Sequence, residues 1–215
     1  MLDKKNKPKI GMARAVFEPV LARLSEHFDV VSNQSDTVLT KAQIIDMLKD
    51  CDGAFTTGGD RIDAEVFAAC PKLKIVANMA VGYNNFDIPA FNAAHVQATN
   101  TPDVLTETTA DFGFALMMAT ARRITESEHF LRAGKWNKWG FDMFAGSDIH
   151  GATLGILGMG RIGQGIARRG SHGFGMKVIY HNRSKLNAAT EENCRASYVT
   201  KEKLLKTADH LVLVL

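Results

Sequence analysis

The sequence has few of the residues and runs that mark secreted, metal-binding or membrane proteins. Its three cysteines, Cys51, Cys70 and Cys194, lie far apart and form no CxxC or Cys/His cluster, so we expect neither a disulfide framework nor a zinc site. The longest uncharged apolar run, from Phe112 to Ala121, is about half of the ~20 residues that a membrane span needs. The charged N-terminus, MLDKKNKPK, does not resemble a secretory signal. We therefore expect a cytoplasmic protein with no membrane contact.

Strong charge of either sign is also absent. The formal net charge is +3, and no run of lysine and arginine is long enough to suggest a nucleic-acid-binding arm. The first 100 residues contain 11 basic and 12 acidic residues, whereas the remainder contains 15 and 11. The second part is thus mildly basic, which suits a ligand that carries phosphate.

Short β-like runs alternate with amphipathic helical stretches, and this alternation predicts an α/β protein. The two loops Thr56–Asp60 and Ala80–Asn85 each contain glycine and each follow a predicted strand. Ligands of open α/β sheets bind at the carboxyl ends of strands, although ordinary turn glycines explain either loop equally well. The first hundred residues contain five predicted strands: Lys9–Ala13, Phe28–Val31, Asp52–Phe55, Leu73–Asn78 and His95–Thr99.

A domain boundary is predicted at Asn100-Thr101-Pro102. One long helix is expected from Leu105 to Thr125, and its apolar character on nearly all sides predicts burial between domains or subunits. The following segment, Gly134–Ile149, contains four aromatic residues and predicts a subunit or domain contact. A loop folded back on its own domain is the alternative.

The strongest motif is a glycine-rich turn between a strand and a helix. Gly158, Gly160 and Gly163 form a GxGxxG pattern after the apolar run Ala152–Leu157, and a second strand is predicted at Met176–Tyr180. The first glycine permits a tight turn, the second allows close approach of a pyrophosphate, and the third allows close packing of helix on strand. The helix that starts at Arg161 offers unpaired N–H groups to the phosphates. The context predicts a dinucleotide-binding site.

The residues after the second strand indicate which dinucleotide binds. NAD sites usually have an acidic residue here, which accepts a hydrogen bond from the ribose. This sequence has Asn182, Arg183 and Ser184 instead. An acid would repel a 2′-phosphate, whereas arginine with a neighbouring hydroxyl can bind one. We therefore expect NADP in preference to NAD; an exposed arginine in an ordinary turn is the alternative.

The remaining sequence supplies part of a dinucleotide-binding sheet. A third strand is predicted at Ala196–Thr200, a helix at Lys201–Lys206 and a fourth strand at His210–Leu215. Complete sheets of this type usually have six strands. We therefore expect a truncated domain whose fourth strand has an exposed apolar edge.

Three segments resemble the D-isomer-specific 2-hydroxyacid dehydrogenases, in particular their glyoxylate/hydroxypyruvate (2-ketogluconate) reductase branch. These segments are Val81–Asp87, Asn100–Asp111 without Asp103, and Leu154–Gly163. A fourth segment, Tyr180–Ser184, is similar to the NADP-using members of the family. The resemblance covers nearly the whole chain. It implies a flavodoxin-like substrate domain at residues 1–101, lacking its C-terminal segment, and an incomplete Rossmann domain at residues 102–215. It also implies hydride transfer between NADPH and a small 2-oxo acid, and a homodimer formed through the nucleotide domain.

The resemblance also implies roles for individual residues. The N–H groups of Val81 and Gly82 would bind the substrate carboxylate, and Thr109 would lie near the nicotinamide. The pyrophosphate would be bound by Gly158, Gly160, Arg161, Ile162 and Gly163. The 2′-phosphate would be bound by Asn182, Arg183 and Ser184.

The catalytic Arg, His and Glu of the family have no counterpart in this sequence. None of its seven histidines lies in a matching motif, so we assign no catalytic residue and expect little or no turnover from this polypeptide alone. An inactive fragment and a dinucleotide-binding regulatory protein of the same fold are the alternatives to a reductase. Formate or phosphoglycerate dehydrogenase is a further alternative within the enzyme class.

Overall fold

The computed structural model describes residues 7–215. The chain forms two compact units. The first unit ends at Val104 and the second begins at Leu105. Each unit contains one parallel sheet and its own cluster of buried apolar residues. The expected α/β class is therefore confirmed. Residues 1–6 of the charged N-terminal segment lie outside the described residues.

The first unit is a five-stranded sheet in the order β2-β1-β3-β4-β5, with every neighbouring pair parallel. This is the flavodoxin-like strand order that the resemblance implies. Its strands are β1 Lys9–Met12, β2 Asp29–Ser32, β3 Gly53–Thr56, β4 Ile75–Asn78 and β5 Gln97–Thr99. The connecting helices are α1 Glu18–His27, α2 Lys41–Leu48, α3 Ala64–Ala69 and α4 Ile88–Ala94.

Local sequence signals explain where several of these helices begin. Thr40 forms a capping box with Gln43, since the Thr40 hydroxyl accepts from the Gln43 N–H and the Gln43 side chain accepts from the Thr40 N–H. Asp87 caps α4 by accepting from the Ala90 N–H at 3.2 Å. Both residues are of the types that favour the N-cap position.

The second unit is a four-stranded parallel sheet in the order β8-β7-β6-β9. Numbered within the unit, this order is 3-2-1-4, the arrangement of the first four strands of a dinucleotide-binding sheet. Its strands are β6 Thr153–Leu157, β7 Lys177–His181, β8 Ala196–Tyr198 and β9 His210–Leu213. Its helices are α5 Thr106–Ala121, α6 Ile124–Arg132, α7 Arg161–Arg168, α8 Ala188–Cys194 and α9 Lys201–Thr207, and a π-helical turn follows α7 at Arg169–Gly173.

The single helix expected from Leu105 to Thr125 is wrong, because the structure has two helices there. Helix α5 ends at Ala121, and Arg123 takes the left-handed conformation with φ of 52° before α6 begins. The Ala121 carbonyl accepts from the Ser147 N–H at 2.9 Å, so a distant loop residue binds the oxygen that a continuing helix would use. Among residues 7–215, no helix is long and apolar enough to cross a membrane.

The apolar character of α5 has two different consequences. Phe114 and Met117 are buried in the core of the second unit, whereas Phe112 is 63% exposed and Leu116 is 52% exposed. The aromatic loop, residues 134–149, also leaves Trp136, Trp139 and Phe141 exposed, while Phe144 packs edge-on against Phe130 of α6. The loop thus folds back on its own unit in part and keeps a large apolar surface outside.

Candidate functional site

The turn between β6 and α7 has the backbone conformation that the glycine motif predicts. Gly158 follows β6 with φ of +102°, a region that L-residues rarely adopt. A Cβ at this position would lie 1.9 Å from the Val214 carbonyl oxygen, so the turn also passes close to the end of β9. Both observations restrict position 158 to glycine.

The other two glycines of the motif differ in what surrounds them. A Cβ on Gly163 would lie 2.4 Å from the Gly158 carbonyl oxygen, so this glycine lets α7 pack directly on the turn. Gly160 precedes α7, is exposed, and a Cβ there would meet nothing within 4 Å. The space in front of Gly160 is therefore open to a ligand phosphate, and the N–H groups at the start of α7 lie beside it.

Asn182 holds the glycine-rich turn from the neighbouring strand. Its Oδ1 accepts from the Met159 N–H at 2.6 Å, and Met159 is fully buried. The Gly158 N–H donates to the His181 carbonyl at 3.1 Å, which adds a second link between the turn and the end of β7. The sequence assigned Asn182 to the 2′-phosphate, but the side-chain oxygen of Asn182 already accepts from the turn. At the position where NAD sites usually have a carboxylate, this protein therefore has a neutral amide that supports the turn.

A cleft of about 780 Å³ joins the glycine-rich turn to the residues after β7. It brings together five of the predicted cofactor residues, and it adds two lysines, Lys185 and Lys201, that sequence reasoning missed. Neither aspartate nor glutamate lines it. The full lining is Leu157, Gly158, Gly160, His181, Asn182, Arg183, Ser184, Lys185, Leu186, Lys201 and Leu215.

The cations of this cleft differ in how far they are neutralised. Lys185 Nζ lies 3.3 Å from Glu191 Oε2. Within the described part of the chain, Arg183 and Lys201 form no ion pair with a carboxylate. The cleft therefore carries uncompensated positive charge at the carboxyl edge of the sheet, which suits an anionic ligand group.

Tyr180 fixes the loop that carries Arg183 and Ser184. Its hydroxyl donates to Glu191 Oε1 at 2.8 Å and accepts from the Leu186 N–H at 2.9 Å. Burial raises the pKa of Tyr180 to about 12, so the phenol stays protonated at neutral pH. The hydrogen bond from Tyr180 lowers the pKa of Glu191. Tyr180 thus connects β7 to the end of the loop and to α8.

Thr109 and Ile162, both assigned to the cofactor from the sequence, lie away from this cleft. They line a separate groove of about 560 Å³ formed by α5, α7 and β9. Ile162 packs its side chain against the core of the second unit, so only its backbone could serve a phosphate. Arg161 is exposed at the first position of α7.

The predicted substrate residues, Val81 and Gly82, lie in the loop after β4 in the first unit. The Asn100 side chain donates to the Val81 carbonyl at 2.8 Å, and that of Asn78 donates to the Gly82 carbonyl at 3.0 Å. In residues 7–215, the N–H groups of Val81 and Gly82 donate to no acceptor. A Cβ on Gly82 would meet nothing within 4 Å. Two unpaired N–H groups beside open space can bind a small carboxylate.

A buried polar network holds this loop to the loop after β3. Asn85 Nδ2 donates to the carbonyls of Thr57 at 3.1 Å and Asp60 at 2.9 Å. Asp60 is 3% exposed, and its Oδ2 accepts from the Thr57 N–H at 2.7 Å. These contacts make the two glycine-bearing loops one rigid edge of the sheet. The network was not predicted, because its partners are far apart in the sequence.

Two histidines of the second unit bind backbone carbonyls, and no metal site is found among the described residues. His181 Nδ1 lies 2.9 Å from the Val199 carbonyl, and His210 Nε2 lies 2.8 Å from the Asp148 carbonyl, so both rings bind backbone. Residues 7–215 contain no group of three or more His, Cys, Asp or Glu side chains that could hold a metal ion.

Comparison with known proteins gives a consistent set of relatives. Residues 114–215 match the NAD-binding domain of the D-isomer specific 2-hydroxyacid dehydrogenases. The glyoxylate reductase of Thermococcus onnurineus is 44% identical over 212 residues, which are 97% of this chain and 63% of that protein. That of Korarchaeum cryptofilum is 45% identical over 208 residues, or 96% of this chain and 62% of that protein.

Solved structures agree with these sequence relatives. A protein from Thermus thermophilus is 36% identical with a TM-score of 0.87, and the match covers 96% of this chain and 64% of that one. A second, from Polaromonas sp. JS6 66, is described as a D-isomer specific 2-hydroxyacid dehydrogenase and gives a TM-score of 0.86 at 36% identity, over 95% of this chain and 64% of that one. The chain thus spans about 63% of the length of the curated relatives.

Proposed function

This chain belongs to the D-isomer-specific 2-hydroxyacid dehydrogenase family, and from that membership we propose that it serves the NADPH-dependent reduction of a small 2-oxo acid. Glyoxylate is the first candidate substrate, because the curated relatives are glyoxylate reductases. Hydroxypyruvate, which differs by one hydroxymethyl group, is the second. The observation that carries the proposal is the cleft at the glycine-rich turn, which is lined by arginine and lysine and by neither aspartate nor glutamate.

The second unit contributes the cofactor site. The start of α7 and the open space at Gly160 would receive the pyrophosphate, with Gly158 and Gly163 shaping the turn. Arg183 and Ser184 would bind the 2′-phosphate, since arginine and hydroxyl groups suit a dianionic phosphate. Asn182 would act on the cofactor through the turn. When bound, the nicotinamide supplies the hydride, and Thr109 is the proposed residue nearest to it.

The first unit contributes the substrate's anchor. The N–H groups of Val81 and Gly82 would donate to the substrate carboxylate. The amides of Asn78 and Asn100 bind the carbonyl oxygens of these same residues and so fix the direction of the peptide groups. This arrangement orients a 2-oxo acid by its carboxylate. No residue of this chain is assigned to proton transfer.

A homodimer is the proposed assembly. Exposed aromatic residues of the loop 134–149 and exposed α6 side chains line an apolar hollow of about 610 Å³, which includes Trp136, Trp139 and Leu131. A patch of this kind is costly to leave in water, and a second copy of the chain would cover it.

The cytoplasm is the proposed compartment. Cys51, Cys70 and Cys194 are all buried and unpaired. Burial raises the pKa of each of these three thiols, which keeps them protonated and unreactive. Free thiols are typical of proteins from reducing compartments.

Titration with NADPH and NADH, followed by addition of glyoxylate, tests the proposal. We expect NADPH to bind more tightly than NADH by calorimetry. Binding followed by oxidation of NADPH on glyoxylate addition supports a reductase. Binding without turnover in a chain extended to the relatives' full length supports the regulatory alternative, and tighter binding of NADH contradicts the NADP preference.

A further inference from the structure

We propose that Lys201, at the start of α9, is a second cationic determinant of NADP preference, acting together with Arg183 on the 2′-phosphate. This inference rests on the proposed NADP site. Lys201 lies in the connection between β8 and α9. Neither the glycine motif nor the residues after β7 indicate a role for it. The structural observation is that Lys201 and Arg183 line the same cleft.

Backbone pairing places the two connections side by side. Strands β7 and β8 are parallel neighbours with Tyr180 opposite Tyr198, so both end at the same edge of the sheet. The Val199 N–H donates to the Tyr180 carbonyl at 2.9 Å. The His181 ring binds the Val199 carbonyl at 2.9 Å. The residues that follow β8 are therefore held against those that follow β7.

The start of α9 is also fixed. Thr200 caps the helix, because its hydroxyl accepts from the Lys203 N–H at 3.2 Å. Leu204 is fully buried beside Gly155 of β6, so it packs the helix against the sheet. Lys201 is the first residue of this anchored helix and lines the cleft, whereas Lys206 lies in its last turn and does not.

Charge distinguishes Lys201 from the other lysine in the lining. Lys185 is close to Glu191, which offsets part of its charge. Lys201 has no such carboxylate in the described part of the chain, and neither has Arg183. Two uncompensated cations on one cleft suit a phosphate dianion, and they do not suit the neutral hydroxyl that NADH carries at the same ribose position.

The test compares three variants of the full 215-residue chain, Lys201→Gln, Arg183→Gln and the control Lys206→Gln, by calorimetric titration with NADPH and NADH. We expect Lys201→Gln to weaken NADPH binding by roughly threefold to tenfold, in the range of an exposed charged contact, and to leave NADH binding unchanged. Arg183→Gln should act in the same direction. The control replaces an exposed lysine of the same helix and should change neither affinity.

Each outcome decides one of two questions. An equal loss of NADPH and NADH binding in Lys201→Gln, or no loss, overturns the inference while the NADP preference of the parent chain stands. A parent chain that binds NADH more tightly, or binds neither nucleotide, overturns the proposed cofactor and this inference with it. Adenosine 2′,5′-bisphosphate and adenosine 5′-monophosphate, titrated in parallel, should reproduce the difference without the nicotinamide.

Discussion

Replacing Asn182 with alanine removes the acceptor for the N–H group of Met159, a buried residue within the glycine-rich turn. The bond measures 2.6 Å, and Met159 is fully buried, so its N–H group depends on the Asn182 oxygen as its acceptor. Leaving a buried N–H unsatisfied costs about 1–3 kcal/mol. We expect a loss of unfolding free energy in that range for the second unit.

The same substitution should weaken both nucleotides equally. The Met159 N–H lies within the turn that would receive the pyrophosphate, and that group is common to NADPH and NADH. Asn182→Asp is the informative partner variant, because a carboxylate oxygen can still accept from Met159 but adds negative charge to the cleft. We expect Asn182→Asp to retain stability and to lose affinity for NADPH far more than for NADH.

Urea unfolding followed by circular dichroism gives the stability change, and calorimetry gives the two affinities. Asn187→Ala is the matched control: Asn187 caps α8 by accepting from the Thr190 N–H at 2.8 Å, and it lies outside the lining of the cleft. Loss of such a cap costs about 1 kcal/mol. The control should therefore lower stability without changing either affinity.

Two results would refute this reasoning. If Asn182→Ala weakens NADPH alone and leaves stability intact, the side chain is a phosphate ligand and does not hold the turn. If Asn182→Asp binds NADPH as well as the parent chain does, charge at this position does not select the cofactor.

Three further predictions concern the turn, the pH dependence and the assembly. Gly158→Ala should cost more than about 2 kcal/mol in urea unfolding because of its φ of +102° and the 1.9 Å approach to a carbonyl, whereas Gly160→Ala should leave stability unchanged and weaken both nucleotides. Burial raises the pKa of Tyr180 to about 12 from 10.0, so its contribution is complete below pH 10.0 and is lost as pH rises toward 12. Urea unfolding across this window should show a decline of about 2 kcal/mol that Tyr180→Phe lacks, and an equal decline in that variant would contradict the assignment. Trp139→Ser should shift the mass measured by light scattering from dimer toward monomer, and an unchanged mass would exclude the loop 134–149 from the interface.

Much of the fold could be predicted because its signals are local. The glycine motif and the apolar run before it predicted β6, the tight turn and α7. Such features depend on a few neighbouring residues, so they survive in the tertiary structure. The helix expected from Leu105 to Thr125 failed because Ser147, far along the chain, takes the Ala121 carbonyl.

The features of the candidate site can also be separated into those that the sequence predicts and those that only the structure shows. Sequence alone determined the α/β class, the glycine-rich turn and the absence of an acidic residue after β7. Only the tertiary structure decided that the Asn182 oxygen faces the Met159 N–H and that Lys201 shares a cleft with Arg183. Pairing of parallel strands brings together residues that are many positions apart, and no local preference encodes which side chains then meet at the edge of the sheet.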